Sequence, residues 1–273
     1  MGAGVRDDYL LANGERLHYR DWGDRSAPPV VLLHGFTGHA RSWDSLALAL
    51  SGCHRVFALD QRGHGESGWA DDYSTEAMVS DVRAFVAALG LTSFDLLGLS
   101  MGGANAYHYA GSRPAELSRL VIVDIGPEII PGGLQRVQSG AQANDTFDSP
   151  EAAIEQARSA NARADEQELR HRIRNAIMRT ADGRWTYRYD AALRTAGLPR
   201  PRPSNEQNWA AWNNINVPTL VIRGGESDIL GADTAARMVA AIPHCRLVEI
   251  AGSGHTIPLD APVRFREAVL SFL

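Results

Sequence analysis

The sequence predicts an α/β protein. Short runs rich in Val, Ile and Leu that end in Gly or Asp recur along the chain, and between them lie stretches whose apolar residues return every three to four positions. The alternation breaks at Gly126-Pro127, where a more polar, Arg-rich texture begins, and resumes near Val217-Pro218. The chain therefore reads as one α/β core, residues 1–126 and 216–273, interrupted by an insertion at 127–215.

The elements follow in order. Asn13-Gly14 stands between two runs of alternating character, a turn pair that favours positive φ, so it predicts a hairpin of 8–11 with 16–22. "PVVLLHG" (29–35), "RVFALD" (55–60), "FDLLGLS" (94–100), "LVIVDIG" (120–126), "TLVIRGG" (219–225) and "RLVEIAG" (246–252) read as strands buried on both faces of a parallel sheet. The clearest helix is 74–89, where Met78, Val82, Phe85 and Leu89 keep a 3.6 period and Gly90 supplies the stop. Within the insertion, Ser149-Pro150-Glu151 starts one helix, and Asp165 with Glu168 caps another whose inner face carries Leu169, Ile173, Ala176 and Ile177. "DGRWTYRYD" places Trp185, Tyr187 and Tyr189 at a period of two, an extended piece with three rings on one side. "LPRPRP" reads as a stiff loop before the return to the core.

Composition narrows the function. The 273 residues are 44% hydrophobic, enough for a sizeable core, and carry a net charge of −5 with Lys and Arg dispersed. No basic stripe points to nucleic acid and no polybasic patch to anionic lipid, so the expected partner is a small molecule. Cys53 and Cys245 exclude a disulfide scaffold and fit a reducing cytoplasm, while a single bridge stays open. The opening "MGAGVRDDYLLANG" has no apolar stretch of signal-peptide length, and Arg6 occupies the position where a myristoylation motif wants Ser or Thr. With no run of about 18 apolar residues, the expectation is a soluble, unexported, cytoplasmic protein with no membrane insertion. The oligomeric state is not legible.

The chemistry gathers around Gly98-Leu99-Ser100-Met101-Gly102, a G-x-S-x-G pattern between a strand and the helix-forming "GGANAYHYA". Its glycines could serve only to let strand and helix pack closely, or the turn could hold Ser100 out as a strained nucleophile. A serine nucleophile needs a base, and "AGSGHTIPLDAP" supplies His255 in a loop directly after a strand. The orienting carboxylate has two main candidates, Asp228 in "LVIRGGESDIL" and Asp124 at the end of "LVIVDIG", with Glu226 a third. Chain order suits both aspartates. Asp228 is favoured because a loop residue is free to reach the histidine, whereas Asp124 could simply cap backbone N–H groups at a strand end. The backbone N–H groups of Phe36, in "HGFTG", and Met101 are the expected oxyanion donors, and His34 is expected to brace that loop. Trp43, Trp185, Tyr187 and Trp209 are candidates for an apolar substrate pocket, with gluing the insertion to the core as the other reading. Arg41, Arg184 and Arg188 are unranked candidates for a substrate carboxylate.

Taken together, "LLHGFTG", "DQRGHGESG", "GLSMGG", "RGGESDIL" and "GSGHTIPLDAPVRF", in this order, resemble the α/β-hydrolase superfamily over 8–125 and 217–273. The resemblance implies a mostly parallel eight-stranded sheet flanked by helices, a mainly helical cap made by the insertion, a Ser100-Asp228-His255 triad, and an oxyanion hole at Phe36 and Met101. It implies no metal or organic cofactor. "DQRGHGESG" is mainly structural in that family, so Asp60 and Arg62 are not expected to be catalytic. A serine nucleophile disfavours haloalkane dehalogenase and epoxide hydrolase, which form an ester on a carboxylate. "VDIGPE" and "DGRWTYRYD" are similar to a bacterial group of esterases and acyl-homoserine lactonases. The leading expectation is a serine hydrolase of a small carboxylic ester or lactone. A C–C bond hydrolase of ring-cleavage products, a perhydrolase and a non-catalytic ligand receptor are the alternatives.

Overall fold

Asn13 and Gly14, at φ 53° and 81°, turn β1 (Arg6–Ala12) into β2 (Glu15–Trp22), the two positive-φ residues that a tight two-residue hairpin requires. The computed structural model describes residues 4–141, 145–194 and 201–273. After the hairpin, strands and helices alternate: β3 (Pro29–Leu33), α1 (Asp44–Leu50), β4 (Arg55–Leu59), α2 (Thr75–Ala88), β5 (Phe94–Leu99), α3 (Met101–Gly111) and β6 (Leu117–Val123). The inserted stretch forms α4 (Pro131–Ala141), β7 (Thr146–Phe147), α5 (Pro150–Ala160), α6 (Glu166–Ala176), β8 (Ile177–Arg179), β9 (Trp185–Tyr187) and α7 (Asn205–Asn213). The core then closes with β10 (Thr219–Gly224), α8 (Ala232–Ala241), β11 (Cys245–Ile250), α9 (Ile257–Asp260) and α10 (Pro262–Leu270).

Eight strands share one sheet in the order β1-β2-β4-β3-β5-β6-β10-β11, parallel from β4 to β11 and antiparallel at the hairpin. The two-residue period of the strands divides the core. Val31, Leu33, Phe57, Leu96 and Ile122 face α2, α3 and α8, and Val30, Leu32, Val56, Leu97 and Val121 face α1 and α10. Because both faces are covered, the strands read as continuous apolar runs. The chain moves outward from β3 to β4, then crosses back to β5 on the other side of β3. The loops after β3 and β5 therefore diverge over a crevice at the carboxyl edge, where open α/β sheets place their ligands.

Two glycines make the β5-α3 turn possible. A Cβ on Gly98 would lie 2.2 Å from the Gly102 carbonyl oxygen, and one on Gly102 would lie 2.4 Å from that of Leu33. Any side chain at either position would push α3 off the sheet.

The inserted stretch carries a small sheet beside its helices. β7, β9 and β8 form a three-stranded antiparallel sheet, and α5 and α6, capped by Ser149 and Asp165, pack a small core of Phe147, Ile154, Leu169, Ile173 and Ile177 with Leu259. The boundary at 215 also needs correction, because α7 packs with the core helices. Trp212 is fully buried, its indole N–H donates to the Met238 carbonyl at 3.0 Å, and its ring meets Tyr107 edge-on. The polar surface of α7 hides this from a reading of texture. Half of the "LPRPRP" loop, residues 198–200, lies outside the described residues. Cys53 and Cys245 are both free thiols. No helix among the described residues is long and apolar enough to cross a membrane.

Buried histidines hold the loop after β3. His34 donates from Nδ1 to the Gly35 carbonyl (2.8 Å) and accepts at Nε2 from the Gln61 N–H (3.0 Å). Gln61 in turn donates to the His34 carbonyl (2.7 Å) and accepts from Asn105 of α3 (2.7 Å). Asp60 accepts from the Ala40 N–H (2.5 Å), the Glu66 N–H (2.9 Å) and His18 (2.7 Å), a purely supporting set. Burial, with His64 nearby, pushes the His34 pKa down to about 3, and burial pushes His39 down to about 4. In the unfolded chain both would take up a proton below about 6.5. The unfolded state thus binds more protons between pH 6.5 and 4, and stability should fall with pH there by about 1.4 kcal/mol per unit for each histidine. Urea unfolding at several pH values should show His34→Asn less stable at pH 7.5 but with a shallower acid slope. An unchanged slope would contradict the assignment.

Candidate active site

Ser100 stands at the carboxyl end of β5 with φ 52° and ψ −115°, a region that residues other than glycine rarely occupy. Its N–H donates to the Val123 carbonyl (3.0 Å) and its own carbonyl accepts from Ala104 (2.8 Å), so the strand ends and α3 begins within one residue. This geometry turns the hydroxyl away from the sheet, toward the loop after β11. There His255 Nε2 lies 2.9 Å from Ser100 Oγ.

The other ring nitrogen faces a different carboxylate from the one expected. His255 Nδ1 lies 2.8 Å from Oδ2 of Asp124, a fully buried residue at the end of β6. Asp124 Oδ1 accepts from the Gly224 N–H (2.9 Å), and Oδ2 also accepts from the Ser227 hydroxyl. The Ser227 oxygen itself accepts from the N–H groups of Ile229 and Leu230, both at 3.1 Å, which commits its proton to Asp124. A carboxylate at Nδ1 places the imidazole proton there and leaves the Nε2 lone pair facing the serine hydroxyl.

The expected partner, Asp228, is elsewhere. Its carboxylate pairs with Arg136 of α4, and Glu226 is exposed. The reason lies in the turn after β10, where Ser227 points inward to Asp124 and the next residue is left facing outward. Strand order supplies the rest. β6 lies between β5 and β10, so a carboxylate at its end already stands between the serine and the β10 turn, and a fixed position replaces the reach expected of a loop. The sequence signal for Asp124 was an acid ending a fully apolar strand; Ser227 carried no signal of its own.

Met101 opens α3, so its N–H has no acceptor within the helix. Gly35, just before Phe36, is pressed against the elbow, since a Cβ there would lie 3.3 Å from that of Ser100. The side chains of Phe36 and Met101 pack into one cluster with Tyr73, Met78, Tyr189 and Leu193, and Tyr187 joins it. Of the four pocket candidates, Tyr187 is the one whose side chain packs against this cluster. Trp43 is buried on the opposite face of the sheet, stacked on Phe265 at 6.2 Å. Trp209 lies under Arg237 and donates to Glu128 (2.7 Å), holding α7 to the core. Both are corrections: an aromatic outside a strand can be core as readily as pocket. Trp185 packs within the inserted stretch, near Arg179. Among the described residues, no group of three or more His, Cys, Asp or Glu could hold a metal ion.

Comparison with known proteins agrees with this architecture. The family described as alpha/beta hydrolase fold matches residues 28–262. The chain is 32% identical over 257 residues to a 3-hydroxybutyrate-oligomer hydrolase of Cupriavidus necator, covering 88% of this chain and 87% of that one. It is 29% identical over 265 residues to the esterase Rv0045c of Mycobacterium tuberculosis, covering 92% and 84%. Among solved structures, an α/β hydrolase from Novosphingobium aromaticivorans superposes with a TM-score of 0.85 at 31% identity, over 98% of this chain and 97% of that one. By its sheet order, its strand-serine-helix elbow and these matches, the chain belongs to the α/β-hydrolase family.

Proposed function

We propose that the protein is a serine hydrolase that cleaves a small carboxylic ester or lactone through an acyl-enzyme on Ser100. The observation that carries this reading is the position of His255, 2.9 Å from the Ser100 hydroxyl on one side and 2.8 Å from the Asp124 carboxylate on the other. Ser100 Oγ attacks the carbonyl carbon while its proton passes to His255 Nε2. Asp124, held by Gly224 and Ser227, keeps the ring oriented and stabilises the imidazolium. Negative charge gathers on the carbonyl oxygen, toward the N–H groups of Met101 and Phe36 and the amino end of the eleven-residue helix α3. The proton on Nε2 then goes to the leaving alcohol, water repeats the cycle, and the acid departs.

The inserted stretch acts in this reading as a cap, with Tyr187, Tyr189 and Leu193 bordering the acyl site beside Phe36 and Met101. The activities named for the relatives, an esterase and an oligomer hydrolase, support ester substrates for this chain.

A fluorophosphonate probe should label Ser100 and should not label Ser100→Ala, whose turnover of a short p-nitrophenyl ester falls by about 10⁵-fold or more. Labelling at another residue, or turnover that survives the substitution, would contradict the reading. For the acid, Asp124→Asn should lower kcat about 10³–10⁴-fold, whereas Asp228→Asn stays within about threefold of the parent. The reverse pattern in steady-state kinetics would return the acid to the β10 turn.

A further inference from the structure

His255 stands between two residues that share one carboxylate. Gly254 before it is buried, and its N–H donates to Oδ2 of Asp260 at 2.7 Å. Thr256 after it donates from its hydroxyl to Oδ1 of Asp260 at 3.3 Å, while its carbonyl accepts the Asp260 N–H at 3.0 Å. Asp260 closes α9, a helix of four residues, and a single turn of helix has little stability of its own. Thr256, at its N-cap, makes no side-chain bond to the helix it precedes. The segment that follows His255 therefore leans on its surroundings.

Those surroundings belong to the inserted stretch. Asn161, which ends α5, donates from Nδ2 to Asp260 Oδ1 at 2.7 Å and to Thr256 Oγ1 at 2.9 Å. The Arg163 N–H donates to Asn161 Oδ1 at 3.2 Å, so the amide turns its oxygen toward its own chain and its protons toward the His255 loop. The Asp165 N–H donates to the Leu259 carbonyl at 2.8 Å, and the Leu259 side chain sits in the small core with Leu169 and Ile173. α6, which begins there, is fixed to the core at a second place. His39 Nε2 donates to the Arg172 carbonyl at 2.9 Å, and His171 reaches Asp44 at 3.0 Å.

The two sides of His255 thus have different owners. Before it, the Glu226 N–H donates to the Ser253 carbonyl at 2.8 Å, tying the loop to the same β10 turn that holds Asp124. After it, Asn161 holds Thr256 and Asp260. The imidazole must meet Ser100 at 2.9 Å and Asp124 at 2.8 Å at once, and such geometry tolerates little displacement. We propose that Asn161 is a positioning residue for His255, so that the inserted stretch contributes to the chemical step and not only to the walls of the acyl site. The effect on rate rests on the hydrolase reading of Ser100; the effect on the imidazole does not.

Turnover of a short p-nitrophenyl ester and solvent exchange of the His255 Nδ1 proton, followed by NMR on the same variants, form the test. Asn161→Ala should lower kcat about tenfold with KM within about twofold, and should speed the Nδ1 exchange at least about fivefold. Asn175→Ala, which removes a bond to the His171 carbonyl inside α6, should leave both readouts at the parent values. Asn161→Asp sets two carboxylates against each other and should lose more than Asn161→Ala. Adding Asp260→Asn to it restores a donor–acceptor pair with the roles reversed and should recover most of kcat, a rescue that a general loosening of the fold would not allow. If no protein, the parent included, turns over ester while Asn161→Ala still exchanges the Nδ1 proton faster, the hydrolase reading fails and the positioning role stands. An exchange rate unchanged in Asn161→Ala, an equal loss in Asn175→Ala, or no recovery of Nδ1 protection in the double variant relative to Asn161→Asp overturns the inference.

Discussion

The site depends on how closely α3 lies against β3 and β5. Gly98 and Gly102 bring backbone to backbone with no side chain between them, and only in that space can Ser100 sit at φ 52° and ψ −115°. A non-glycine residue there stores on the order of 1–3 kcal/mol, which the packed core around the turn must offset. Loosening the contact would relax the serine into an ordinary helix start and turn its hydroxyl away from His255. The supports of the turn are built for this. Asn105 on α3, Gln61 after β4 and His34 after β3 form one hydrogen-bonded chain that fixes the helix and the Phe36 loop relative to each other.

The same economy of position explains the acid. Asp124 needs no flexible loop because the sheet places the end of β6 beside β5, and the turn after β10 contributes a backbone N–H and a serine hydroxyl to hold its carboxylate. Its φ of 48° shows that the strand ends there under local strain, as at Ser100. Buried and bonded at both oxygens, the carboxylate cannot rotate freely, and this rigidity fixes the plane of the imidazole.

Much of the fold was legible because its signals are local. Asn13-Gly14 dictates its turn, strands covered on both faces must be apolar throughout, and Ser149 and Asp165 cap the helices that follow them. Ser100 and His255 were legible for the same reason, each lying in a short glycine-rich motif after a strand. What failed depended on strand order and distant packing. Asp124 against Asp228 is decided by which strand lies beside β5, Trp43 by a stack on Phe265 in the last helix, and α7 by the Tyr107 and Met238 surfaces that bury Trp212.

The central claim is that a single imidazole joins Ser100 to Asp124. The most direct measurement is the proton NMR signal of the His255 Nδ1–H, which a buried hydrogen bond to a carboxylate should slow in exchange and move downfield of the amide region. The signal should be present in the wild type, persist in Asp228→Asn, and vanish or move sharply upfield in Asp124→Asn and His255→Gln. A signal unchanged in Asp124→Asn, or lost in Asp228→Asn, would contradict the account.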